Sequence, residues 1–297
     1  MLTHRYLNGP RETFCTHSHL VSSPKMSVKP FLKWPGGKRW IAGNLAQIIS
    51  IRLRNRYYEP FLGGGAVFFS LLPQKGTLSD INDDLMNVYI QVREHPDVIL
   101  DALKKIPITK EKYYSIRADE PTELIEKAIR FLYLNRTAFG GIYRLNLNGK
   151  FNVPFGGGKR TPEPLWSRDL VKLASKALQR MDLVTSDFEE IIDQAGKRDV
   201  VYCDPTYTAT HNSNGFIRYN ERNFSWDDQE RLAAASLRAC KRGAYVLVSN
   251  ASCPSLHDLY NPFQPKILAR KSLVSPKSEA RREINEYLFI LDPDDMK

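Results

Sequence analysis

The stretch Asp199-Val200-Val201-Tyr202-Cys203-Asp204-Pro205-Thr206-Tyr207 constrains the fold more than any other part of the chain. A short apolar, β-branched run that stops abruptly at Asp-Pro has the pattern of a buried strand delivering a carboxylate to its carboxyl edge. Sites in open α/β sheets lie outside those edges. Asp204, the Pro205 carbonyl and the Tyr207 ring then place a carboxylate, a fixed second acceptor and a flat π-face within four residues. That set suits a planar heterocycle bearing an exocyclic amine: Asp204 takes one N–H, the Pro205 carbonyl takes the other, and Tyr207 stacks. Alone, Asp-Pro-x-Tyr is most often only a strand end with a turn. Its company decides.

Upstream, Tyr57-Tyr58-Glu59-Pro60-Phe61 reads as a strand, Leu62-Gly63-Gly64-Gly65 as a tight loop and Ala66 to Leu72 as a helix. Thr77 to Asp80 reads as a second strand with its acid at the end, and Asp83 to Glu94 as a helix. Strand, glycine loop, helix, strand, acid is the first half of a nucleotide-type βαβ unit. A dinucleotide fingerprint would need a small residue at 68, where Phe68 stands. This disfavours a nicotinamide-dependent oxidoreductase. Gly36-Gly37-Lys38 resembles the end of a phosphate-binding loop, but Arg39 replaces the required Ser or Thr and Leu32 the leading Gly, which disfavours an NTPase. Asp187 also falls at a predicted strand end, after 182–186. Three acids, Asp80, Asp187 and Asp204, at successive strand edges beside a glycine loop point to a pocket for an adenosine-like ligand and an amine-bearing substrate. Cys203, inside its strand, reads as a buried inert thiol.

From about 87 to 165 the α/β rhythm is interrupted. Helical patterns at 97–105, 110–118 and 121–134 lead into a segment that interleaves cations, amides and aromatics, Asn135-Arg136-Thr137-Ala138-Phe139-Gly140-Gly141-Ile142-Tyr143-Arg144-Leu145-Asn146. Arg and Asn read base edges bidentately, and an aromatic can wedge into a stack. A formal charge of +10 over 297 residues, spread along the chain, points to nucleic acid as partner. Four cysteines without metal-ligand spacing argue against a zinc site or a disulfide framework. No apolar run is long enough to span a bilayer. Residues 1–25 lack periodicity and read as a disordered extension. After 165 the rhythm returns with a helix over 168–180 and the strand over 182–186, then Ser225 as a helix N-cap, a strand over 244–250 and another over 284–291.

Taken together these motifs resemble the Dam-like DNA adenine methyltransferases, the D12 class of S-adenosylmethionine-dependent enzymes. The matching pieces stand in family order: Phe31 to Lys38, Glu59 to Gly65, Ser79-Asp80-Ile81-Asn82, Phe131 to Arg136, Asn146 to Gly156 and Tyr202-Cys203-Asp204-Pro205. The resemblance implies an α/β fold, a seven-stranded Rossmann-like methyltransferase sheet with a mainly helical inserted target-recognition domain. In this chain that divides into a catalytic domain from 26–86 and 166–297 and an insertion over 87–165. It implies S-adenosyl-L-methionine as cofactor, held by Trp34, Lys38, Glu59, Phe61, Gly63, Gly65, Asp80, Ile81, Asp187, Phe188 and Asp204. Asp204, Pro205 and Tyr207 would hold a flipped-out adenine, and Asn135, Arg136, Phe139, Tyr143, Arg144 and Asn146 would contact double-stranded DNA, GATC being the sequence the family most often reads. No metal is called for. A monomer in the cytoplasm, associated with the nucleoid and paired with a cognate restriction endonuclease, completes the expectation. One residue departs from the pattern. The family's motif is Asp-Pro-Pro-Tyr, and Thr206 replaces the second proline, losing the ring that fixes φ. The alternative reading is therefore a catalytically weak or inactive DNA-binding relative.

Overall fold

A computed structural model describes residues 28–146, 148–158, 161–206, 224–271 and 283–296. The extension 1–25 and Tyr207 lie outside the described residues. The chain begins with α1 (Ala42–Arg52), β1 (Tyr57–Glu59), α2 (Ala66–Leu71), β2 (Gly76–Asp80) and α3 (Asp83–Glu94). A helical stretch follows: α4 (Pro96–Lys105), α5 (Lys110–Ala118), α6 (Leu124–Thr137) and the short α7 (Pro162–Leu165). The α/β alternation resumes with α8 (Arg168–Leu178), β3 (Met181–Thr185), α9 (Phe188–Ile192) and β4 (Val200–Cys203). It ends with α10 (Trp226–Lys241), β5 (Tyr245–Ala251), α11 (Pro254–Leu259), β6 (Lys266–Lys271) and β7 (Glu283–Leu291).

The strands form one seven-stranded sheet in the order β3-β2-β1-β4-β5-β7-β6. β3, β2, β1, β4 and β5 pair in parallel, and β7 runs antiparallel to both β5 and β6. The order reverses beside β1 and β4, the place where ligands bind in open α/β sheets.

Side chains alternate across the sheet with period two. Tyr57, Val200, Tyr202, Leu247 and Leu288 pack into a core on one face, with α1, α2, α3 and α6. Tyr58, Val201, Cys203, Val246, Val248 and Phe289 pack on the other, with α9, α10 and α11. Coverage on both faces is why β4 is an unbroken apolar run. Phe68 of α2 is fully buried in the first core. The helical stretch from α4 to α7 joins that same core through Tyr113, Phe131 and Tyr133, with α6 packed along α3. α3 itself begins before residue 87 and continues to Glu94.

Helix starts follow capping chemistry. The Asn82 side chain accepts from Leu85 N–H at 3.0 Å to open α3, and Ser225 and Asp228 form a reciprocal capping box on α10. Strand β6 was not foreseen. It is the edge strand, and Lys266 at its start gives it the charged character that edges carry. No helix among the described residues is long and apolar enough to cross a membrane.

Candidate active site

The first wall of the site is the glycine loop after β1. Leu62 N–H bonds to Ser79 O at 2.9 Å and Gly65 N–H to Leu62 O at 2.7 Å, which folds the loop back onto β2. Gly63 has φ of 47° and Gly65 of 65°, the left-handed region where a side chain is strained. At Gly63 a Cβ would also lie 2.8 Å from Trp34 Cδ1, so the indole rests directly against the glycine. The Asp80 carboxylate organises this turn: Oδ2 accepts Gly63 N–H at 3.0 Å and Oδ1 accepts Asn82 N–H at 3.1 Å. Burial pushes the Asp80 pKa up, and these backbone donors oppose the rise. Tyr89 donates to Gly63 O at 2.9 Å, and Ile81 stands exposed at the rim.

A second wall comes from the opposite sheet face. Phe61 stacks on Phe188 with ring centroids 5.3 Å apart, and Phe224 meets both. Asp187, expected at a strand end, is the N-cap of α9, accepting Glu189 N–H at 2.9 Å. It also accepts from Arg231 Nη2 at 2.7 Å. The Arg231 guanidinium lies 4.7 Å over the Phe188 ring, a cation–π contact the sequence reading missed.

Between these walls sits a cluster of charges. Lys38 Nζ, with only 3% of its side chain exposed, lies 2.6 Å from Asp204 Oδ1 and 3.5 Å from Glu286 Oε2. Asp204 follows the last residue of β4 and is 18% exposed, with Pro205 buried behind it and Thr206 exposed. Glu59 is buried at the end of β1 and accepts the Tyr57 hydroxyl at 2.7 Å. Burial raises its pKa to about 8; the Tyr57 bond opposes this and the neighbouring Asp204 charge adds to it. Burial likewise pushes the Cys203 thiol well up, which makes it a poor nucleophile.

Two of the six expected DNA contacts face inward. Asn135 is fully buried: it accepts Lys33 N–H at 3.0 Å and donates to Lys33 O at 2.7 Å. Arg136 donates to Phe31 O and Leu165 O. Both therefore staple α6 to the segment before the glycine turn. Tyr143 is sandwiched between Phe131 and Trp34, at 4.6 and 5.6 Å, which couples α6 to the glycine-loop wall. Phe139 is 62% exposed at a tight turn, Arg144 is exposed and bonds Asn152 Oδ1 at 2.9 Å, and Asn146 Oδ1 caps the turn through Asn148 and Lys150 N–H.

A pinned glycine loop, an acid at the end of the second strand and a buried carboxylate–lysine cluster meet at the switch point of the sheet, where open α/β enzymes bind their ligands. The sequence profile of the D12 class N6 adenine-specific DNA methyltransferases matches residues 34–275, and the chain belongs to that family. It is 32% identical over 281 residues to the Type II methyltransferase M1.LlaDCHI of Lactococcus lactis subsp. cremoris, covering 91% of this chain and 98% of that protein. It is 33% identical to the Type II methyltransferase M.MjaIII of Methanocaldococcus jannaschii, covering 90% and 100%. With the DNA adenine methylase of Vibrio cholerae serotype O1 the identity is 31%, covering 89% and 96%. Among solved structures, a precorrin-6y C5,15-methyltransferase of Geobacter metallireducens overlays with a TM-score of 0.35 at 10% identity, covering 88% of this chain and 97% of that one.

Proposed function

We propose that the protein methylates N6 of adenine at a specific site in duplex DNA, with S-adenosyl-L-methionine as donor. The observation that carries this reading is Asp204-Pro205 at the carboxyl edge of β4, at the point where the sheet order reverses. An adenine amine is a weak nucleophile because its lone pair is delocalised into the ring. Asp204 accepting one N–H and the Pro205 carbonyl the other would favour a pyramidal nitrogen and aim its lone pair out of the ring plane. As the nitrogen gains its C–N bond it becomes positive and must lose one proton; the Asp204 carboxylate stabilises that charge and is placed to take the proton. The base must leave the stack to reach an acid at a sheet edge.

The residues present fit the cofactor, which when bound supplies an electrophilic methyl on a sulfonium. Trp34 packed on Gly63 leaves no room for a side chain in the loop, so backbone can approach a ligand closely there. Gly65, Asp80 and Ile81 continue that wall; Phe61, Asp187 and Phe188 form the other; Lys38 and Glu59 lie between. The insertion 87–165 would recognise the target, with Phe139 as wedge, Arg144 and Asn146 as base or backbone contacts, and Tyr143 as the link to the cofactor wall. A monomer suffices, since one chain carries the loop, the acid and the reading segment. The Type II relatives support pairing with a restriction endonuclease, and a DNA substrate supports a place in the cytoplasm beside the nucleoid.

The test is methyl transfer from labelled cofactor to unmethylated duplex, followed by nucleoside analysis. N6-methyladenine is expected from the wild type and none from Asp204→Ala, with DNA binding retained because backbone phosphates dominate affinity. N4-methylcytosine as the product would overturn the assignment of the base.

A further inference from the structure

β7 runs antiparallel to β5, so its opening residues lie at the edge where β1 and β4 end. Glu286 stands there, in register with Ala251 of β5 and Leu268 of β6, and is almost completely buried. Strand alternation puts it on the same sheet face as Leu288, Tyr202 and Tyr57, and therefore on the face that carries Glu59 and Asp204. A lone carboxylate inside an apolar strand is costly to bury unless it is paired. Its partner is Lys38 Nζ at 3.5 Å, which also bonds Asp204 Oδ1 at 2.6 Å.

We propose that Glu286 is a positioning residue for the methyl transfer, holding Lys38 between two carboxylates so that Asp204 keeps its orientation and the cluster keeps a net negative charge. The inference rests on the function proposed above. Lys38 and Asp204 alone would form a neutral pair, with no net attraction for a cationic group. Glu286 adds the second negative charge. Glu59 adds none at neutral pH, because its pKa lies near 8. Among the described residues the cluster then carries a net charge of one negative, which suits a donor that is a cation before transfer and neutral after it. The reacting methyl must come within bonding reach of an amine held by Asp204, so the charge centre of the donor has to lie beside this cluster. Glu286 touches neither the amine nor the donor in this account; it acts through Lys38.

The experiment compares wild type, Glu286→Gln and Glu286→Asp. Calorimetry measures binding of S-adenosylmethionine and of S-adenosylhomocysteine, which lacks the methyl and the positive charge. Single-turnover rates are measured at saturating DNA, DNA affinity by anisotropy, and folding by thermal melting. Glu286→Gln is expected to bind DNA within about twofold of wild type, to transfer methyl about tenfold more slowly, and to lose about tenfold in its preference for the cation over the neutral product, the lower end of what a charge within a few ångströms does. Glu286→Asp keeps the charge, so its preference stays within about twofold of wild type while its rate falls by less than that of Glu286→Gln. A purely structural role would lower the melting temperature and weaken both ligands equally, and that result overturns the proposal. So does a Glu286→Gln rate within twofold of wild type. Should Glu286→Gln fail to fold, Glu286→Asp carries the test alone, and a changed cofactor preference in it refutes the charge argument. If the wild type itself makes no N6-methyladenine, the functional reading fails, and the ratio of the two affinities still reports on Glu286.

Discussion

Glu59→Gln gives the most direct test of the charge state of the site. Glu59 is buried at the end of β1, and its pKa is displaced from the usual 4.5 to about 8. Below about pH 4.5 the carboxyl is protonated in both the folded and the unfolded chain, and the full contribution of the neutral group is present. Between 4.5 and 8 the unfolded chain ionises while the folded protein retains its proton, so stability falls as pH rises, by about 1.36 kcal/mol per pH unit. Above 8 the folded protein ionises too, and the loss levels off at roughly 4–5 kcal/mol. Glutamine cannot ionise, keeps the shape, and offers a carbonyl oxygen to the Tyr57 hydroxyl that now bonds Glu59 at 2.7 Å. Imperfect replacement of that bond costs on the order of 1 kcal/mol at every pH. Wild type and variant should therefore differ by little at pH 5, with the variant gaining steadily and becoming the more stable by several kcal/mol at pH 9. The assay is urea denaturation of the cofactor-free protein at half-unit steps from pH 5 to 9, read as the difference between the two curves. A difference that stays constant across that range refutes the displaced pKa and with it the protonated Glu59 in the cluster. Cofactor affinity offers a second reading: it should match between the two proteins at pH 7, where both carry a neutral group at 59, and diverge above pH 8.

Gly63→Ala should lower stability by about 1–3 kcal/mol and weaken cofactor binding at least tenfold, because φ of 47° strains any side chain and the Cβ meets the Trp34 ring; thermal melting and calorimetry measure both. Asn135→Ala should cost about 2–4 kcal/mol by leaving the Lys33 N–H and carbonyl without their buried partner, yet leave sequence preference unchanged in binding to single-base variants of the target. Arg144→Ala should lower discrimination by about 1–3 kcal/mol at one base pair of the site. A uniform loss over all variants with a shallower salt dependence would make it a phosphate contact instead.

What could be read from the sequence was local. The glycine loop, Asp80 at its strand end, the Ser225–Asp228 cap and the Asp-Pro stop of β4 each declare themselves within a few residues, because turn chemistry and strand alternation act at that range. What could not be read depends on partners far along the chain. Asn135 and Arg136 have the composition of base readers, and only the arrival of Phe31 to Lys33, more than a hundred residues away in sequence, makes them staples. Asp187 reads as a strand-end acid, and only the fold shows Arg231 of α10 lying across it and Phe188. Glu286 offered a weak signal, a charge set inside the apolar run from Ile284 to Leu291, which in a half-exposed strand would face water. It faces inward because strand alternation puts it on the face of Leu288, which packs into the first core, and the antiparallel direction of β7 carries that position to the edge where β1 and β4 end. A buried acid there either keeps its proton, as Glu59 does, or sits beside a cation, and Lys38, from a turn that resembled a phosphate loop, is a cation the fold brings within 3.5 Å of Glu286.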